Sequence, residues 1–251
     1  MTMFDLTGKK AIVTGGAAGL GFGISEGLLE AGAQVVIVAR SSRAEQAAQA
    51  FCARGLSCYA VCGDVSDAQS RETLFQKSLE LLGGLDILVN NAGIQRRYPA
   101  ERFPIADWQA VIDTNLTAVF AMCQLGGNYF LENGGGKIIN IASMLSFFGG
   151  YTVPAYAAAK GGVAQLTKAL ANEWAGRGIC INALAPGYMA TDMNTALIND
   201  PLRNQEILRR IPQGRWGTPA DMKAPAVFLA SRASDYLNGA VIPVDGGYLG
   251  R

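Results

Sequence analysis

Histidine is absent from the 251 residues of the chain. Its absence excludes every acid/base device built on imidazole and removes the commonest metal ligand. The five cysteines, Cys52, Cys58, Cys62, Cys123 and Cys180, contain no CxxC pair. A zinc site therefore lacks its usual ligand spacing, no metal is expected, and the cysteines read as small buried hydrophobes. An excess of charge of one sign is also missing: 21 Lys and Arg against 20 Asp and Glu leave +1, which argues against a general nucleic-acid binder. Half the residues are apolar, yet no run approaches the roughly 18 uncharged apolar residues of a membrane span. The N-terminus MTMFDLTGKK carries no signal-peptide pattern. The expectation is a cytoplasmic protein with neither membrane nor nucleic acid as partner.

What the chain has instead is Ser143, Tyr156 and Lys160, set in IASMLSFFGGYTVPAYAAAK. Tyr156 and Lys160 are four apart in a stretch rich in Ala and Leu that reads as a helix, so both rise from one face about a turn apart. A tyrosine with a pKa of about 10 is a poor base at neutral pH, and a fixed cation beside it favours the phenolate. Lys160 is placed to supply that charge. Ser143 ends the apolar run KIINIAS, where a strand would deliver its hydroxyl to the mouth of a sheet. Each residue alone is common as surface decoration; the first forty residues change the odds.

KKAIVTGGAAGLGFGISEGLLEAGA reads as a short buried strand from Ala11 to Val13, a glycine-rich turn, and a helix to about Ala31. Gly15 permits the turn, Gly19 lets backbone approach a pyrophosphate at the helix N-terminus, and Gly21 lets helix and strand pack closely. The spacing is TGGAAGLG rather than GxGxxG. A turn that binds nothing is the bland alternative. The next run, QVVIVAR, reads as the second strand, and its tip is Ala39-Arg40 where a dinucleotide fold usually carries an acid for the ribose. Arg40, with Ser41, Ser42 and Arg43, offers charge-assisted contacts to a 2′-phosphate, so NADP(H) is favoured. An exposed Arg40 without a ligand is the other reading.

Strand-like runs recur at Ser57 to Cys62, Asp86 to Val89, Lys137 to Ile141, Cys180 to Ala185 and Ala240 to Val244, with helical stretches between most of them. That alternation predicts an α/β fold: one Rossmann-like, doubly wound parallel sheet of about seven strands with helices on both faces. No linker or repeat interrupts it, so residues 1–251 are expected to form a single dinucleotide-binding and catalytic domain. The long strand-free segment from Asp192 to about Gly217 is a candidate substrate lid.

Together these motifs resemble the short-chain dehydrogenase/reductase family over essentially the whole chain. TGGAAGLG, including Ala18 and Leu20, is similar to the family's cofactor loop. GDV corresponds to its adenine contact at Asp64 and Val65, and NNAG (Asn90 to Gly93) to its motif after the fourth strand, with Asn91, Ala92 and Gly93 beside the cofactor. PGYMAT matches the segment where Pro186, Gly187 and Met189 line the nicotinamide side and Thr191 meets the carboxamide. The resemblance implies that Ser143 hydrogen-bonds the reacting oxygen and that Tyr156 transfers its proton. It implies that Lys160 holds the nicotinamide ribose and that Asn115, in IDTNLTAVF, holds a water linking Lys160 to solvent. It also implies a homotetramer pairing the helices at about 107–131 and 154–175.

A closer resemblance, in NNAGIQRR, APGYMAT and RIPQGRWGTPAD, is to the branch of the family that oxidises or reduces six-carbon sugar acids, a branch usually taken to use NAD(H). An anionic substrate needs a cation, and Gln95, Arg96 and Arg97 follow NNAG directly. Gln95 and Arg96 are candidate substrate contacts; solvated loop charges or subunit contacts are the equal alternative for Arg96 and Arg97. Phe147, Phe148 and Tyr151 are candidates for the pocket wall, and Arg215 for bracing the lid or an interface. Rival functions are a carbonyl reductase of another substrate class, such as 3-oxoacyl thioesters, and a dinucleotide sensor without turnover. The sensor has no use for a proton-transfer set.

Overall fold

The computed structural model describes residues 2–251. Seven strands, β1 (Lys10–Thr14), β2 (Gln34–Ala39), β3 (Cys58–Cys62), β4 (Ile87–Asn90), β5 (Gly136–Ile141), β6 (Ile179–Pro186) and β7 (Val241–Val244), form one sheet in the order β3-β2-β1-β4-β5-β6-β7. Every neighbouring pair is parallel. The expected doubly wound sheet is present, with strand ends within a residue of the apolar runs. Central parallel strands are covered on both faces, so their sequences are continuous apolar runs that stop abruptly at polar residues and glycine.

Nine helices are assigned among the described residues: α1 (Gly19–Glu30), α2 (Arg43–Cys52), α3 (Ala68–Leu82), α4 (Ile105–Ile112), α5 (Ala118–Glu132), α6 (Pro154–Trp174), α7 (Thr195–Ile198), α8 (Pro201–Arg210) and α9 (Lys223–Ala230). One face of the sheet packs Leu74 and Phe75 of α3, Met122 and Phe130 of α5 and Val163 and Leu170 of α6 against Ile12, Leu88, Ile138 and Ile181. The other packs Ile24 and Leu28 of α1, Phe51 of α2 and Leu229 of α9 against Val13, Ile37, Val89 and Ile139.

The strand order reverses between β1 and β4, so the loops leaving those strands part and open a crevice at the carboxyl edge of the sheet. Two local features shape its far wall. The stretch expected as one helix over 107–131 is interrupted by a π-helical turn at Asp113–Thr117, a feature frequent at functional sites, which here buries Thr114 and Asn115. Gly162 of α6 leaves room for Leu116 of that turn, since a Cβ there would lie 2.9 Å from its Cδ2. The cysteines depart from expectation: Cys58 and Cys123 are buried, but Cys52 and Cys62 are exposed and Cys180 is half-buried. Cys62 sits on β3, the edge strand, where one face lacks a full cover.

Candidate active site

The turn after β1 uses left-handed backbone at Gly15 (φ +65°) and Gly19 (φ +51°). Gly21 packs directly on the Gly15 carbonyl and the Asn91 amide, leaving no space for a Cβ. No side chain caps α1 at Ala18, so the first-turn amides remain available to an anion. The loop after β4 is fastened to this turn. The Asn91 and Ala92 amides donate to Thr14 Oγ1 at 3.0 and 3.1 Å, and Asn91 Nδ2 donates to the Thr14 and Gly15 carbonyls at 3.0 and 3.1 Å.

Gly15, Ala18, Gly19, Leu20 and Gly21 line a cavity of about 290 Å³ together with Asn91, Ala92 and Gly93. Its opposite wall is Pro186, Gly187, Met189 and Thr191 from the end of β6, and Ser143, Tyr156 and Lys160 complete it. A second cavity of about 310 Å³ continues from Gly15 and Ala18 past the β2 tip to Arg40, Ser41, Arg43, Asp64 and Val65. Arg40 Nη1 lies 4.0 Å from an Asp64 carboxylate oxygen and stays largely exposed. A bare helix N-terminus, a glycine cradle and a cationic far end fit a dinucleotide.

Tyr156 and Lys160 share one face of α6, and the Lys160 ammonium lies 5.7 Å from the Tyr156 ring centroid. Lys160 is only 3% exposed and donates to the Ile141 carbonyl at the end of β5. Burial lowers its pKa from the ordinary 10.5 to about 8. The expected depression of the Tyr156 pKa by Lys160 is not what the geometry produces. Desolvation raises the phenol, while its hydrogen-bonding neighbour Ser143 and the charge of Arg97 pull it down. The reason is burial: with its own pKa lowered to about 8, Lys160 has lost its charge by the pH at which the raised phenol ionises.

Ser143 Oγ accepts from the Leu145 amide at 3.1 Å, and Ser146 Oγ donates to the Lys160 carbonyl at 2.6 Å, tying the turn after β5 to α6. Ser146 gave no sequence signal. Asn115 is fully buried, and both ends of its amide engage Ile94: Nδ2 donates to the Ile94 carbonyl and the Ile94 amide donates to Oδ1, each at 2.8 Å. It therefore clamps the loop that follows NNAG.

Beyond Ser143 and Tyr156 opens a third cavity, of about 250 Å³. Gln95 lines it, but Arg96 does not: Arg96 Nε lies 3.4 Å from Asp107 at the start of α4, outside the cavity. Arg97 takes the place expected of Arg96, because consecutive residues of an extended loop face opposite ways. Phe148 and Tyr151 line the wall and Phe147 lies outside it. The segment expected as a lid is helical, in α7 and α8, and a parallel bridge between Met189 and Gly217 closes its base. Arg215 braces that base by a two-pronged contact with Asp221 at 2.7 and 2.8 Å. Arg203, Glu206, Ile207 and Arg210 of α8 all line the cavity. Their spacing of three, four and seven is a helix face, a signal that was readable once a helix was assigned to the lid.

A family model described as enoyl-(acyl carrier protein) reductase matches residues 15–249. The chain belongs to the short-chain dehydrogenase/reductase family. Family membership makes it a nicotinamide-dependent oxidoreductase acting on CH–OH groups. It is 48% identical over 252 residues to a 2-dehydro-3-deoxy-D-gluconate 5-dehydrogenase of Dickeya dadantii, covering 100% of this chain and 99% of that one. It is 40% identical over 248 residues to a 5-keto-D-gluconate 5-reductase of Escherichia coli, covering 98% of each. A solved gluconate 5-dehydrogenase from Burkholderia cenocepacia, in complex with NADP and tartrate, superimposes with a TM-score of 0.96 at 40% identity, covering 99% of this chain and 98% of that one. No helix among the described residues is long and apolar enough to cross a membrane.

Proposed function

We propose that the protein interconverts a secondary alcohol and a ketone on a six-carbon sugar acid of the 2-keto-3-deoxygluconate or gluconate class. The single observation that carries this reading is the cationic cavity: Arg97, Arg203 and Arg210 line the space beyond Ser143 and Tyr156, with Glu206 as its one carboxylate. A neutral or long acyl substrate has no use for three guanidinium groups, whereas a sugar acid has one carboxylate to place. Relatives named for such substrates over the full chain length support it.

The bound nicotinamide supplies a carbon that accepts hydride in oxidation and returns it in reduction. Ser143 hydrogen-bonds the reacting oxygen. Tyr156 Oη takes the hydroxyl proton as the carbinol C–H bond breaks and the C=O bond forms; in the reverse direction it gives that proton to the ketone oxygen. Lys160 holds the nicotinamide ribose, while Ser143 and the charge of Arg97 favour the charged form of the phenol once the proton has moved. Asn115 holds the loop carrying Gly93 and Ile94 against the cofactor crevice and binds the water that connects Lys160 to solvent. Arg40, Ser41 and Arg43 bind a 2′-phosphate, making NADP(H) the preferred cofactor over NAD(H). The enzyme works in the cytoplasm as a homotetramer; Ile105 of α4 and Phe120 of α5, both exposed, supply an apolar face for the helix pairing.

The test is a panel of sugar acids, their neutral polyols and 3-oxoacyl thioesters, each with NADP(H) and NAD(H), followed at the nicotinamide absorbance band. Turnover confined to sugar acids is the expected result. Faster reduction of the thioesters would overturn the reading in favour of an acyl substrate.

A further inference from the structure

Helix α8 brings a second cation to the cavity that Arg97 lines. Arg97 comes from the loop after β4 and Arg203 from the first half of α8, and both line the cavity that begins at Ser143 and Tyr156. Among the described residues Arg97 forms no ion pair, while Arg203 pairs only with Glu206 of its own helix, Nη1 to Oε2 at 2.7 Å. Arg210, a further two turns along α8, lies over the Tyr248 ring at 4.6 Å and is held there by that face. Two guanidinium groups thus line one cavity, close enough for the charge of Arg203 to act on Arg97, with Glu206 as the one carboxylate beside them. Burial disfavours the charge on Arg97, and the field of Arg203 pushes in the same direction. An anion seated between the two removes the repulsion and gives each a charge-assisted partner. Glu206 occupies one Arg203 nitrogen and leaves its other N–H donors free for that anion.

We propose that Arg203 is a specificity-determining residue: the substrate carboxylate bridges Arg97 and Arg203, so that the lid closes on sugar acids and not on neutral sugars. The proposal rests on the sugar-acid reading above. Glu206 is a positioning residue, fixing Arg203 on the cavity side of α8. Closure also has a reporter, because Trp216 Nε1 donates to Asn204 Oδ1 of α8 at 2.7 Å and its ring packs edge-on against Tyr188 of the cavity wall.

The experiment measures D-gluconate binding by isothermal titration calorimetry to protein saturated with NADPH, a pairing that cannot turn over, with D-glucitol as the uncharged probe. Trp216 fluorescence, read against a Trp216→Phe control, follows the lid. Losing one charge-assisted contact is expected to weaken gluconate binding about ten- to a hundredfold in Arg203→Ala, with Arg203→Lys in between and NADPH affinity unchanged. Arg209→Ala removes the same charge from a part of α8 outside the cavity and should leave gluconate affinity as it was. Arg97→Ala combined with Arg203→Ala should lose less than the two single losses together, since both grip one carboxylate. If Arg203→Ala weakens gluconate no more than Arg209→Ala does, the bridge is wrong while the sugar-acid reading stands. A wild type that binds gluconate no better than glucitol overturns both.

Discussion

Replacing Lys160 with methionine should stabilise the protein at pH 7 while destroying its function. Lys160 is buried, and its pKa falls from 10.5 to about 8. At pH 7 the group is protonated in both folded and unfolded chains, and the fold bears the full cost of the buried charge, about 3 kcal/mol. Methionine has nearly the same length and no charge, but it gives up the hydrogen bond to the Ile141 carbonyl, worth about 1 kcal/mol net. The balance is about 2 kcal/mol in favour of the variant, or a Tm higher by about 4–8 °C for a chain of this size. The sign depends on pH. Between about 8 and 10.5 the folded chain has released the proton that the unfolded chain still binds, so the stability of the wild type rises with pH and the advantage of Lys160→Met vanishes by about pH 10. Thermal unfolding of the cofactor-free protein by circular dichroism at pH 7, 8.5 and 10 reads this directly. A variant less stable than wild type at pH 7, or a Tm difference that does not change with pH, would refute a buried, destabilising ammonium.

Tyr156→Phe should lower kcat by on the order of 10²- to 10⁴-fold with cofactor affinity intact, measured by turnover and by nicotinamide fluorescence titration; a variant keeping most of its rate removes the phenol from the chemistry. The wild type should show about ten- to a hundredfold higher kcat/KM with NADP(H) than with NAD(H). Ala39→Asp with Arg40→Ser should reverse that order, and a wild type already preferring NAD(H) would mean that Arg40 serves the adenine or solvent. Thr152 is the one non-glycine residue with positive φ (+63°) among the described residues, a β-branched side chain in left-handed backbone just before α6. Thr152→Asn should relieve about 1 kcal/mol of strain and raise Tm by about 2–4 °C; an unchanged or lower Tm would show that the turn is not strained.

The strand boundaries, the glycine turn and the Ser143, Tyr156 and Lys160 set were all readable in the amino-acid order, for one reason: each is a local pattern. Buried parallel strands must be apolar on both faces, so QVVIVA and KIINIA mark their own ends. A turn that needs left-handed backbone at Gly15 and Gly19 writes itself as glycine. The YxxxK spacing follows from the pitch of α6. What the order of residues left open depends on which way a side chain turns and what lies across from it. Arg96 and Arg97 are neighbours in an irregular loop, and only the packing of α4 decides that Asp107 takes the first and the cavity receives the second. Asn115 was expected to hold a water, and nothing local foretold that the π turn and the returning loop also set its amide on Ile94. Lys160 was expected to act on Tyr156, and burial of both groups lowers the ammonium and raises the phenol instead. Arg203 and Arg210 lie more than a hundred residues from Arg97 in the chain and share a cavity with it only because the segment after β6 packs beside the loop that follows β4. Periodicity and backbone stereochemistry are set within a few residues and survive in the sequence; opposition across a cavity is a long-range contact, and only the folded chain creates it.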